Sequence, residues 1–329
     1  MASVSVIIST YNGEKYLTEQ LNSIYEQIEY IDEILIYDDC STDNTFRICS
    51  EFKNNIGDKV ILKKNAHNVG WKRNFFNLLY DAYGDIIFYC DQDDVWCNHK
   101  VTRMLNVFDK YSDALCVSSG WDVIDGQNNY IYNFIEKDKN DKSVEKITFD
   151  DKAVFNIPRG CSLAIKKDLL KYINKAYVFS NDTGGTDRVI CQTATLLDGM
   201  YKLYDVLFHY RVHSNNLTSC LEKMTNSSLG KDNISNRCSI VNKDYMYFES
   251  IDDNLLNLLE KNRVKCFLDY SQMRINYLST KKMKWFVKSI LKSWSFAALY
   301  NVFCDFIYVA KLNVFLGNIG GFFIYKLKG

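Results

Sequence analysis

Apolar positions along the first hundred residues fall into two alternating rhythms. Val4–Thr10 is a continuous apolar, β-branched run, as expected of a strand buried on both faces. Tyr11-Asn12-Gly13 is a turn signal, and the stretch from Glu14 to Gln27 then carries Leu17, Leu21, Ile24 and Ile28 at helical spacing. Ile34 to Tyr37 reads as a second strand ending at Asp38-Asp39, and Ser41 to Asn44 offers N-cap chemistry for a helix reaching Phe52. Val60 to Leu62 predicts a third strand, Asn74 to Ala82 a helix, and Ile86 to Tyr89 a fourth strand ending at Asp91. Strands and helices alternating at this spacing predict βαβ units and a mostly parallel sheet. Such sheets bind ligands at the carboxyl ends of their strands, where Thr10-Tyr11-Asn12, Asp38-Asp39 and Asp91 to Asp94 all fall.

Beyond Asp94 the pattern is coarser. Leu115 to Ser119, Ser162 to Ile165 and Val206 to Val212 read as strands, Arg188 to Leu197 as a helix, and Asp122 to Asp151 as a charged flap with a hairpin. From about Asn233 the chain reads as helical, with a soft boundary between Ser219 and Asn233.

Composition narrows the class of function. Forty basic side chains balance forty acidic ones, so global charge gives no reason to expect a nucleic-acid partner. The balance fails locally: from Lys281 onward there are eight lysines and one acid, Asp305. Trp285, Phe286, Ile290, Leu291 and Trp294 alternate there with Lys284, Lys288 and Lys292, followed by Phe296, Tyr300, Phe303, Phe306 and Tyr308. A basic, aromatic, amphipathic helix of this kind suits a membrane interface, and it equally suits a helical appendage packed on the catalytic domain. Eleven cysteines without ligand or disulfide spacing suggest free thiols in a reducing compartment. The opening residues lack a basic stretch and a long apolar run, so no signal peptide is read there, and the expected location is cytoplasmic, peripheral at the inner face of the plasma membrane.

Three carboxylates, Asp91, Asp93 and Asp94, sit together after one strand. They would raise one another's pKa unless a cation intervened, and a hard divalent ion bound by oxygen ligands and substrate phosphates is the usual remedy. The plain alternative is a solvated acidic turn, and position at a strand end favours the metal. Asp38 and Asp39 could accept hydrogen bonds from a ribose or base, or cap the following helix. Lys72 and Arg73 at a helix start invite a diphosphate, or are plain surface cations. A dinucleotide-dependent oxidoreductase would need a Gly-x-Gly-x-x-Gly turn after the first strand, and Tyr11-Asn12-Gly13-Glu14 is not one.

Val6-Ile-Ile-Ser-Thr-Tyr-Asn-Gly13, Tyr37-Asp-Asp-Cys-Ser-Thr-Asp-Asn-Thr45, Asn68-Val-Gly70 and Tyr89-Cys-Asp-Gln-Asp-Asp-Val-Trp96 together resemble family 2 glycosyltransferases. Gly160-Cys161-Ser162 and Tyr210-Arg-Val-His-Ser-Asn-Asn216 extend the resemblance over about residues 3 to 216, and the Asp-Gln-Asp-Asp-x-Trp form is that of the bacterial rhamnosyltransferase-like subgroup. The resemblance implies an α/β GT-A fold, Rossmann-like, with residues 1–220 as the nucleotide-sugar-binding and catalytic domain and 221–329 as a helical C-terminal region. It implies an inverting enzyme with a nucleoside-diphosphate sugar donor, a glycan or lipid-linked acceptor and a Mg²⁺ or Mn²⁺ cofactor, in bacterial surface polysaccharide synthesis. Thr10, Tyr11 and Asn12 would then line the nucleoside pocket, with Asp38 or Asp39 on the base or ribose and Arg73 near base or phosphate. Asp91, Asp93 and His213 would hold the metal, Asp91 also facing the donor, while Asp94 and Trp96 would shape the sugar pocket and Arg211 would face the leaving diphosphate. Counting back from Tyr210-Arg211 places the general base at Asp187, with Asp182 competing; Thr186 and Arg188 depart from the subgroup's His-Asp-Trp segment. A non-catalytic sugar-nucleotide-binding protein of the same fold is the alternative.

Overall fold

The computed structural model describes residues 2–133, 144–149, 158–213, 234–293 and 296–309. The chain divides into two compact units, one comprising Met1–Ile147, Ile157–Ile173 and Gly185–His213, the other Thr148–Asn156, Asn174–Gly184 and Ser214–Gly329.

The first unit is built on a single sheet. β1 (Val4–Thr10) is the central strand of a parallel set, flanked by β2 (Glu33–Asp38) and β4 (Ile86–Cys90), with β3 (Val60–Lys64) outside β2. These parallel pairings need crossovers, which α1 (Leu17–Tyr25), α2 (Thr45–Ile56) and α3 (Trp71–Asp81) supply. Every residue of β2 and β4 is buried, which is why their apolar runs are unbroken. Past β4 the sheet becomes mixed. β9 (Leu163–Lys166) runs antiparallel between β4 and β6 (Cys116–Asp125), and β10 (Met200–Val212) lies parallel to β6. The two-residue β5 (Val95–Trp96), β7 (Tyr130–Asn133) and β8 (Val144–Ile147) add antiparallel pairings to β10, β6 and β10.

One element here goes unread in the sequence, and another is read only in its second half. α4 (Lys100–Lys110) buries Val101, Met104, Val107 and Phe108 on one stripe. β10 begins at Met200, and its register against β6 shifts twice between Lys202 and His209, which hides any simple alternation. α6 (Thr186–Leu196) follows Gly185, whose φ of 151° favours glycine.

The second unit contains α5 (Lys175–Ser180), α7 (Ile234–Glu249), α8 (Leu258–Thr280), α9 (Met283–Leu291) and α10 (Phe296–Val309). Asn257 and Glu260 form a reciprocal capping box at the start of α8. The ring of Phe248 stacks 4.3 Å from that of Phe267, and Phe149 meets both edge-on. A further cluster joins Tyr270, Tyr277, Phe286, Ala298 and Val302, with Trp285, Ile290 and Phe306 packed against it. Inside this unit Asp305 of α10 is fully buried and accepts bonds from Arg237 of α7 and Arg274 of α8. Among the described residues no helix is long and apolar enough to cross a membrane. Trp294, Asn216, the lysines at 311, 326 and 328, and the side chains of Phe296 and Tyr308 lie outside the description.

Candidate active site

The ends of β1, β2 and β4 are adjacent, and their polar residues knit together. Thr10 is buried and its hydroxyl donates to Asp38 Oδ1 at 3.2 Å. Asp38 Oδ2 accepts from Ser41 N at 3.0 Å. Asp39 Oδ1 accepts from Asn65 Nδ2 and Val69 N, and its Oδ2 from Gly70 N, each at 2.8 Å. Both carboxylates are at most 2% exposed. They hold the turn before α2 and the loop before α3. A carboxylate after a strand looks the same in sequence whether it caps a loop or meets a ligand.

Among the predicted nucleoside residues at this edge, Tyr11, 47% exposed, Asn12 and Arg73 in the first turn of α3 face solvent. Tyr11 is fixed through its backbone: its N–H donates to Gln92 Oε1 at 2.8 Å, and Gln92 Nε2 donates to its carbonyl at 3.1 Å. A Cβ on Gly13 would meet the Gln92 amide, so a side chain there would push Gln92 off Tyr11. Asn12 adopts φ 47° and accepts from Thr42 N at 2.9 Å, joining the β1 and β2 loops.

The acidic turn after β4 is gathered by β10. Arg211 N donates to Asp94 Oδ1 at 3.1 Å and Arg211 Nε to the Asp93 carbonyl at 2.8 Å. The guanidinium is 1% exposed, pairs with Glu19 at 2.6 Å and lies over the Tyr16 ring at 4.7 Å. Arg211 thus ties β10 to the acidic turn. His213 Nε2 sits 2.9 Å from Asp93 Oδ2. Asp94 is fully buried, and its Oδ2 has no hydrogen-bond partner among the described residues. Ligand atoms of Asp91, Asp94 and Cys161 lie within 4.8 Å of one another. Burial first, and the Asp93 charge second, push the Asp91 carboxyl up to about 7; the same two causes raise Asp94. A set of mutually repelling carboxylates with an orphaned buried oxygen fits a hard divalent cation, which would relieve both.

Asp187 stands in the first turn of α6 and joins this group. Its Oδ1 accepts from Arg188 N at 2.9 Å, burial raises its pKa, and its charge contributes to raising Asp91. Gly160 lies opposite, where a Cβ would be 3.8 Å from the Asp187 Cβ. The Arg159 guanidinium lowers both Asp91 and Asp187, and it is held 3.9 Å over the Tyr210 ring. Asp182 is elsewhere: it belongs to the other unit and pairs with Lys243 at 2.7 Å.

Trp96 is 2% exposed and belongs to the main apolar cluster. Beside it the fully buried Lys100 donates to the Cys161 carbonyl at 2.7 Å, with its Nζ 4.7 Å and 4.4 Å from the Trp96 and Phe208 ring centroids. Burial pushes its ammonium down to about 8. Gln92, Lys100 and Arg159 were missed in the sequence. Their partners are 81, 61 and 51 positions away, and no local signal marks them.

A Rossmann-like sheet whose strand ends gather an acidic turn, a histidine and a buried carboxylate defines a GT-A glycosyltransferase. Residues 5–172 match the model of Glycosyl transferase family 2, and the chain belongs to that family. The dTDP-rhamnosyl transferase RfbG of Shigella flexneri is 30% identical over 223 residues, which are 64% of this chain and 72% of the relative. TarS of Staphylococcus aureus, a poly(ribitol-phosphate) beta-N-acetylglucosaminyltransferase, is 36% identical over 124 residues, and the matched part spans only 21% of its length. The crystal structure of TarS residues 1–349 with UDP-GlcNAc superposes with TM-score 0.58 at 16% identity, covering 89% of this chain and 92% of that one. The mannosyltransferase PcManGT of Pyrobaculum calidifontis, in complex with GDP-Man and Mn²⁺, gives TM-score 0.52 at 17% identity, covering 99% and 84%.

Proposed function

We propose that the chain transfers a sugar, with inversion, from a nucleoside-diphosphate sugar to a hydroxyl of a glycan or lipid-linked acceptor in bacterial surface polysaccharide synthesis. Residues 1–220 carry the reaction. The observation that supports this best is the placement of Asp187 in the electrostatic field of Asp91, with Arg159 beside both. Asp187 accepts the acceptor's hydroxyl proton as that oxygen bonds to the anomeric carbon and the bond from that carbon to the diphosphate oxygen breaks. Asp91, Asp93 and His213 would hold Mg²⁺ or Mn²⁺, which supplies positive charge against the diphosphate. Tyr11 and Arg73 bind the nucleotide, with Thr10 and Asn12 shaping the edge they stand on, and Arg159 orients the two carboxylates. Asp94 lies behind the sugar. Similarity to RfbG favours a deoxyhexose donor.

A thermal-shift panel of nucleoside diphosphates and sugar nucleotides, with and without Mn²⁺, tests the reading. At least one should raise the melting temperature only with the ion, and Asp93→Ala should remove that rise while leaving the unliganded protein folded. Metal-independent responses throughout, or full turnover by Asp93→Ala, would refute the metal assignment.

A further inference from the structure

Helix α9 shows which part of the basic tail is available to a partner. Phe286 is 8% exposed, with ring centroids 5.4 Å from Tyr277 and 4.9 Å from Phe306, and Trp285 and Ile290 pack against the same cluster. Of the aromatic residues that suggested an interface in the sequence, Trp285, Phe286 and Phe306 therefore belong to the second unit's own core. Leu291, with Met283 and Val287, remains outside. Met283, Val287 and Leu291 are 51%, 50% and 78% exposed, and their i, i+4, i+8 spacing makes one aliphatic stripe. Lys284, Lys288 and Lys292 repeat the same spacing one position on, all exposed, so a lysine stripe runs alongside. Phe303, 47% exposed and 6.0 Å from the Phe286 ring, adds a further exposed apolar side chain.

The charge around this face is uncompensated by the tail itself. Asp305, its one acid, is buried between Arg237 and Arg274 and shows nothing to solvent. Among the described residues Lys292 pairs with Asp269 at 2.6 Å, and Lys284 and Lys288 lie over the Trp285 ring at 5.0 and 4.9 Å. We infer that the Met283–Val287–Leu291 stripe and its lysines dock on an anionic lipid surface, the aliphatic side chains entering the headgroup boundary and the ammonium groups meeting lipid phosphates. A second copy of the chain fits worse, because a two-fold pairing of the stripes would set lysines against lysines. The inference deepens the reading of a lipid-linked acceptor, and its test needs neither donor nor acceptor.

The full chain should float with vesicles of mixed phosphatidylglycerol and phosphatidylcholine, and about tenfold less with phosphatidylcholine alone or in high salt. Combined Met283→Ser, Val287→Ser and Leu291→Ser should cut the floating fraction about tenfold while nucleotide-dependent thermal stabilisation is unchanged. Lys284→Glu with Lys288→Glu, which changes only exposed side chains, should do the same if the triple variant folds poorly. A wild-type chain that stays unbound to anionic vesicles overturns the inference. So does a stripe variant that floats as well as wild type, or one that instead converts a dimer to a monomer in light scattering. Loss of nucleotide stabilisation in the wild-type protein would count against the glycosyltransferase reading and leave the flotation result standing.

Discussion

Asp187 shows how far one side chain's chemistry depends on its surroundings. Desolvation favours its protonated form, while the Arg188 amide and the Arg188 and Arg159 charges oppose that, and burial wins. Its pKa lies above the ordinary carboxylate range, which suits a group that must accept a proton near neutral pH. The acid limb of kcat/KM should therefore fall at a higher pH than a solvated aspartate would give. Asp187→Asn should lower kcat by about 10²–10⁴-fold with nucleotide binding retained. An Asp187→Asn enzyme with an unchanged rate and pH profile would remove Asp187 from the base role. Counting back from Tyr210 favours this residue over Asp182; the Asp187 charge acts on Asp91, and Asp182 pairs with Lys243. The ties made by Asp38, Asp39 and Arg211 were not legible, because their partners are set by tertiary packing and a sequence shows only that a charged group is present.

At the scale of elements, legibility follows burial. β1, β2 and β4 are covered on both faces, so their apolar runs are continuous and the helices between them stand out. β10 is different: thirteen residues with two register shifts break its period, and only its second half reads as a strand. That half carries a titratable tie to β6. His209 pairs through Nδ1 with Asp122, its register partner across the sheet, and Nε2 lies 3.8 Å from Cys97 Sγ. Contact with Cys97 first, and with Asp122 as well, raises His209 from 6.5 to about 9. A raised histidine pKa stabilises the fold fully below 6.5, and that contribution fades as pH climbs through about 9. The denaturation midpoint of the wild-type protein should accordingly fall across this window more steeply than that of His209→Asn. Parallel slopes for the two proteins would show that the pair carries no pH-dependent stability.

For the whole molecule, equal totals of acid and base conceal an uneven distribution. The first unit concentrates carboxylates at its strand ends. The second unit buries Asp244 and Asp305, the latter against two arginines. Asp305 is fully buried; Arg274 and Arg237 side chains are 7% and 23% exposed, and each donates two bonds to it. The three residues come from three helices, so this ion triad fixes how α7, α8 and α10 pack. From sequence alone, a lone acid in a lysine-rich tail reads as surface charge. Asp305→Asn keeps the shape and removes the charge, leaving two guanidinium groups with a neutral partner. Breaking a buried pair in this way costs about 3–5 kcal/mol. That loss should appear in a chemical denaturation curve followed by far-UV circular dichroism. Mn²⁺-dependent nucleotide affinity per folded molecule should stay at the wild-type value, since none of the three residues belongs to the site. A variant as stable as wild type would mean that the triad is replaceable and that apolar packing alone orders these helices.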